Sequence, residues 1–215
     1  MQRQNANIIL NGDLNADDKS ILLLQSGYII AVDGGLRHLR RLERLPDILI
    51  GDLDSVKEAD LEWCQTGGVR IEHYPREKDQ TDFELALIHA IQAVDGSITI
   101  YGALGGRTDH ILANISLLAS PIVAGRDMRI ENGSESLSMI HNHQIITGAV
   151  GDIISLLPWG GVCQGVTTRG LQYALRDETL YPESSRGISN LMISTQAEVI
   201  CKKGSLLCVH QHGSA

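Results

Sequence analysis

Aspartates recur directly after short apolar runs in this chain. Asp33 follows Tyr28–Val32, and Asp52 and Asp54 follow Ile48–Ile50. The segment Gly102-Ala103-Leu104-Gly105-Gly106-Arg107-Thr108-Asp109 follows Ile98–Tyr101. In an open α/β sheet, ligands bind beyond the carboxyl ends of the strands. Three strands would therefore deliver carboxylates to one edge. Grouped carboxylates repel unless shared protons or a cation offset them. A hard divalent cation with oxygen ligands is the simple answer, and Mg²⁺ bound through a few carboxylates plus substrate phosphates fits best.

The segment Lys78-Asp79-Gln80-Thr81-Asp82-Phe83-Glu84 extends the pattern. Thr81 and Glu84 have capping-box spacing, which makes Thr81 an N-cap and puts Asp82 in the first turn. There Asp82 either complements the helix dipole or serves a metal or phosphate. Lys78 offers a point charge to a phosphate. Gly34-Gly35 opens one expected helix and Gly105-Gly106 precedes another. Such pairs are commonly plain turns, yet bare N–H groups at a helix start also attract phosphate. Arg107, beside the second pair, carries a guanidinium that matches phosphate geometry. No GxGxxG, GxxxxGK[ST] or GxSxG pattern is present. His110 is either near the site or a helix-start residue. His141 and His143 read as a polar turn, and Arg37, Arg40, Arg41 and Arg44 as a solvated helix face. The four cysteines lack CxxC spacing and read as buried thiols.

The elements that must position these residues follow from hydrophobic periodicity. Ile8–Leu10, Tyr28–Val32, Ile48–Ile50 and Ile98–Tyr101 read as strands. Helices are expected over residues 17 to 26, around Leu36, Leu39 and Leu42, over Phe83–Ile91, and over Asp109–Ala119. Alternating strands and helices argue for an α/β fold: a Rossmann-like, mostly parallel sheet with flanking helices. Beyond about residue 128 the texture changes to short runs between turns, expected to form an all-β module, a sandwich or barrel. The expected domains are 1–128 and 129–215. Residues 1–128 hold 12 Lys/Arg and 19 Asp/Glu, whereas 129–215 hold 6 and 7.

The whole chain has 215 residues and a formal net charge of −8. Such a balance gives no general pull toward nucleic acid or an anionic membrane. A polyanionic partner would need local cations or a metal. Aromatics at 4% offer little stacking surface for single-stranded nucleic acid. The N-terminus does not read as a signal peptide, and no run of about 18 apolar residues is present to span a membrane. A cytoplasmic protein is expected.

The residues, in their order, resemble the thiamine pyrophosphokinase family. The matching stretches are Val32-Asp33-Gly34-Gly35, Gly51-Asp52-Leu53-Asp54-Ser55, Tyr74-Pro75, Asp79-Gln80-Thr81-Asp82-Phe83, and Gly102 to His110 with Asn114. Gly165 to Tyr173 and Gly187-Ile188-Ser189-Asn190 match in the second part. The resemblance implies an N-terminal α/β domain that binds Mg-ATP and a C-terminal β-sandwich that helps bind thiamine. It implies a homodimer with thiamine at the subunit interface, and transfer of pyrophosphate from ATP to thiamine, giving thiamine diphosphate and AMP. By motif match, Asp52, Asp54 and Asp82 would be metal-associated. Asp33, Thr81 and Asp109 would line the nucleotide site, and Ser189 and Asn190 would face thiamine. Leu53 stands where the family often has Phe. Trp159 has no assigned counterpart; it either packs at a strand end or stacks on thiamine. Two other readings share these residues: a pyrophosphokinase for another alcohol, such as a pterin, and a non-catalytic nucleotide sensor.

Overall fold

The computed structural model describes residues 4–15 and 26–213. Residues 17–25 of the first expected helix lie outside the described residues. The chain divides into two compact units, Met1–Gly133 and Ser134–Ala215.

The first unit contains β1 (Ala6–Ile9) and β2 (Tyr28–Val32), then a 3-10 turn, Asp33–Gly35, and helix α1 (Leu36–Arg41). It continues through β3 (Ile48–Gly51), α2 (Glu58–Thr66), β4 (Arg70–His73), α3 (Asp82–Ala93), β5 (Ile98–Tyr101), α4 (Thr108–Leu117) and β6 (Met128–Asn132). The strands lie in the order β6-β5-β1-β2-β3-β4, and each neighbouring pair is parallel. β1, β3 and β5 are buried along their whole length. Strands covered on both faces read as unbroken apolar runs, which is why these three are legible in the sequence. No clear hydrophobic periodicity marks an element between Ile50 and Thr81, where α2 and β4 lie. β4, Arg70-Ile71-Glu72-His73, is an edge strand with no buried residue, and α2 buries only Cys64. Elements that bury so little leave a weak hydrophobic pattern.

The chain walks outward from β1 to β4, then returns to the other side of β1 for β5. That reversal opens a crevice at the carboxyl ends of the strands, the usual ligand position in such sheets. Helix α3 begins as its sequence dictates. Thr81 Oγ1 accepts the Glu84 N–H at 3.2 Å, and Phe83, Ala86, Leu87 and Ala90 form its buried stripe. Thr81→Ala leaves that N–H without its cap and is expected to cost about 1 kcal/mol. The measurement is a lower urea midpoint with an unchanged slope.

The second unit is all antiparallel β. Its strands are β7 (Glu135–Ile140), β8 (His143–Thr147), β9 (Ile153–Pro158), β10 (Cys163–Arg169), β11 (Glu178–Leu180), β12 (Asn190–Leu191), β13 (Gln196–Ile200) and β14 (Leu206–Gln211). They form two layers, β12-β9-β14-β7 and β11-β10-β13-β8. Ile154, Leu156 and Leu206 of the first layer join Val166, Ala197 and Val199 of the second in one apolar core. Two layers packed this way make a sandwich. The four cysteines are all buried and unbridged. Among the described residues, no helix is long and apolar enough to cross a membrane.

Candidate active site

At the end of β2 the backbone turns through Asp33, whose φ is +46°. Asp is among the few side chains that visit this left-handed region readily. At the end of β3, Leu53 sits between Asp52 and Asp54 with φ +62°. A leucine held there stores strain on the order of 1 kcal/mol, a cost that tends to collect at functional turns. These two turns bring carboxylate oxygens of Asp33, Asp52 and Asp54 within 4.8 Å of one another. Ser55 Oγ donates to Asp33 Oδ2 at 2.5 Å, and the Asp54 N–H donates to Asp52 Oδ1 at 3.2 Å. Asp33 Oδ1 is buried with no hydrogen-bond partner. An unpartnered buried oxygen among three carboxylates is unfavourable unless a cation meets it. The donors are all hard oxygens, so the set fits Mg²⁺.

Asp82 lies beside this trio without belonging to it. Lys78 Nζ stands 3.0 Å from Asp82 Oδ1 and also donates to the Pro75 carbonyl at 3.0 Å. Burial pushes the Asp82 carboxyl upward, Lys78 opposes that, and the negative charges of Asp52 and Asp33 add to the rise. A cation at the trio would reverse the last contribution. Asp79 and Thr81 are exposed, and the Thr81 hydroxyl is engaged as the cap of α3.

The loops after β1 and β5 are tied together. The Gly12 N–H donates to the Gly102 carbonyl at 2.8 Å and the Asp13 N–H to that of Leu104 at 2.9 Å. Gly105 and Gly106 have φ of +88° and +82°, conformations that suit glycine. A Cβ on Gly105 would lie 2.4 Å from Asp13 Oδ2, and one on Gly34 would lie 2.5 Å from both Asn11 Nδ2 and Ser55 Oγ. Gly34 therefore admits two polar side chains to the start of the Asp33 turn. Arg107 pairs with Asp109 through two bonds, Nε to Oδ1 at 3.1 Å and the terminal nitrogen to Oδ2 at 2.5 Å. Both side chains are exposed, and the guanidinium holds the Asp109 carboxyl below its ordinary range.

Several contributors were not singled out by sequence. Asn11 and Asp13 sit among the site's loops, but single polar residues in loops carry no periodic signal. Arg37 was expected on a solvated face. It is exposed and also donates to the carbonyls of Asn11 at 2.7 Å and Gly12 at 3.3 Å. Buried His38 adds a 2.9 Å contact from Nε2 to the Gly12 oxygen. Arg40 lies 4.8 Å over the Trp63 ring and 3.4 Å from Asp60. These contacts depend on which loop α1 faces, and no spacing rule carries that.

In the second unit a cavity of about 400 Å³ is lined by residues that include Tyr173, Leu175, Arg186, Ile188 and Asn190. Asn190 is buried, and its amide is committed to the backbone. Nδ2 donates to the Tyr173 carbonyl at 2.8 Å, and Oδ1 accepts the N–H groups of Tyr173 at 2.9 Å and Leu191 at 3.0 Å. Asn190 thus shapes the wall and fixes Tyr173. Ser189 is exposed at φ +53°, its N–H donating to Ser155 Oγ at 3.0 Å. Trp159 is half-buried at the end of β9, its N–H bonded to the Ser205 carbonyl at 2.8 Å. Neither Ser189 nor Trp159 lines the cavity.

The chain thus joins a parallel α/β sheet, with a carboxylate trio at the carboxyl ends of its strands, to a β-sandwich unit, and the edge that carries the trio is where ligands bind in sheets of this class. The family model described as the thiamin pyrophosphokinase catalytic domain matches residues 20–130, and that described as the thiamin pyrophosphokinase vitamin B1 binding domain matches residues 142–206. The chain belongs to the thiamin pyrophosphokinase family. It is 29% identical over 182 residues to the thiamine pyrophosphokinase of Bacillus subtilis, covering 84% of this chain and 85% of that one. A crystal structure of thiamine pyrophosphokinase from Bacillus subtilis matches with a TM-score of 0.87 at 26% identity, covering 98% of this chain and all of the other. The thiamin pyrophosphokinase of Candida albicans shares the fold, with a TM-score of 0.86 at 16% identity over 99% of this chain and 90% of that one.

Proposed function

We propose that this chain is a thiamine pyrophosphokinase, transferring the pyrophosphoryl group of ATP to the hydroxyl of thiamine to give thiamine diphosphate and AMP. The observation that carries the reading is the trio Asp33, Asp52 and Asp54, with oxygens within 4.8 Å of one another and one buried Asp33 oxygen unpartnered. Membership of the family over both units supports it. In this reading Asp52, Asp54 and Asp82 hold Mg²⁺, and Asp33 adds its unpartnered oxygen. When bound, Mg²⁺ supplies the positive charge that lets carboxylates and phosphates share one site.

The thiamine hydroxyl oxygen bonds to the β-phosphorus as the bond from that phosphorus to the α–β bridging oxygen breaks. AMP leaves with the bridging oxygen, and the hydroxyl proton is released. Such a transition state is loose, so positioning and charge stabilisation carry the rate and little is asked of a base. Arg107 exchanges Asp109 for phosphate oxygens, because its fork fits either partner. The N–H groups of Gly34, Gly35, Gly105 and Gly106 serve as further donors. Lys78 adds a point charge, while Asp79, Thr81 and Asp109 border the nucleotide. Thiamine is bound with the help of Ser189, Asn190 and Trp159 in a cytoplasmic homodimer whose active site lies at the subunit interface. Asn190 acts there by holding Tyr173 in the cavity wall.

The test is incubation with ATP, Mg²⁺ and thiamine. AMP and thiamine diphosphate are expected in equal amounts. ADP as the product, or bound ATP without turnover, overturns the assignment.

A further inference from the structure

We infer that Asp152, His210 and His212 form a second metal site in the β-sandwich unit, one suited to a divalent transition metal such as Zn²⁺ rather than to Mg²⁺. One ligand atom from each of the three lies within 4.8 Å of the other two. His210 Nε2 is 2.9 Å from Asp152 Oδ2, and His212 Nδ1 is 3.8 Å from the same oxygen. Tetrahedral zinc with bonds of about 2.0–2.1 Å sets its ligand atoms about 3.4 Å apart, a value these distances bracket. Two imidazoles and one carboxylate select transition metals, whereas the all-oxygen trio of the first unit suits Mg²⁺. The fourth position stays open to water.

The cluster is held from outside as working metal ligands are. Asp152 is 3% exposed and His210 5% exposed, so the pair is not a solvated surface contact. The Ala149 N–H donates to Asp152 Oδ2 at 2.9 Å and the Gly213 N–H to Oδ1 at 3.0 Å. His210 lies on β14, which pairs along its length with both β7 and β9. The His212 N–H is bonded to the Ser134 carbonyl at 2.6 Å. The backbone comes close at Gly148: a Cβ there would lie 2.6 Å from Asp152 Oδ2 and 2.9 Å from His210 Nε2, so any larger residue would crowd the ligand atoms. Without metal, His210 and Asp152 share a hydrogen bond. Metal uptake displaces the proton from the nitrogen that becomes the ligand, so uptake weakens in acid.

The test uses the full chain, stripped with chelator and dialysed against Zn²⁺ in excess Mg²⁺, which keeps the carboxylate trio occupied. About one Zn²⁺ per chain is expected to remain, and Tm is expected to rise with added Zn²⁺. His212→Ala is expected to stay folded, because the His212 side chain is 42% exposed. It should lose both the retained Zn²⁺ and the Tm response. Asp54→Asn should keep both. A wild-type chain that retains no Zn²⁺, or His212→Ala retaining as much as wild type, overturns the site. So does Zn²⁺ that is lost in Asp54→Asn instead.

Discussion

Asp52→Asn lowers kcat by at least about 100-fold at saturating ATP, Mg²⁺ and thiamine, the scale of losing one major electrostatic contact to a transition state. The substitution isolates charge from shape. Asparagine keeps an Oδ1 that can accept the Asp54 N–H now bonded at 3.2 Å. The His73 contact to residue 52, at 3.1 Å, runs to the backbone carbonyl and is untouched. What disappears is one of the negative charges clustered within 4.8 Å. Because like charges repel, the variant without ligands should be as stable as the parent or slightly more so. Activity and stability therefore move in opposite directions, and thermal unfolding beside steady-state kinetics reads both. A rate near that of wild type removes Asp52 from the metal site. A large fall in Tm would assign it to the fold instead.

Gly12→Ala is the second large effect, and it acts through backbone rather than charge. A Cβ at residue 12 would stand 2.2 Å from the Leu104 carbonyl oxygen and 2.4 Å from that of Gly102. Both are main-chain atoms of the loop after β5, so no side chain can swing aside. The two loops must separate, which strains the 2.8 Å bond from the Gly12 N–H and the 2.9 Å bond from the Asp13 N–H. Overpacking against backbone together with weakened hydrogen bonds should cost about 3 kcal/mol. Chemical denaturation measures it. Gly161→Ala is the control, since nothing lies within 4 Å of the Cβ it would add. Equal stability losses in the two variants would show that the close approach of the loops is unimportant.

The sheet of the first unit was legible where its strands are buried on both faces. Ile48–Ile50 and Ile98–Tyr101 could be little else, because their apolar runs are short and end in turn residues. Thr81 was legible as a cap because the side chain and the N–H it serves are three residues apart. The aspartates of the trio were legible in type, since they follow such runs. Their grouping was less so. Asp33, Asp52 and Asp54 meet because β2 and β3 are parallel neighbours, whereas Asp82 reaches the same edge from the start of α3, with Lys78 3.0 Å away.

Sequence by itself determined the local terms: the alternating α/β pattern, the change to short strands in the C-terminal part, the caps, and the carboxylates after strands. Each depends on neighbours a few residues away. Tertiary structure alone decided which side chains share a site. Arg37 grips a loop 25 residues back, Gly12 packs on Gly102 and Leu104, and Asp152 meets His210 across 58 residues. Strand order and register create those meetings, and they depend on how the whole sheet packs rather than on any local spacing.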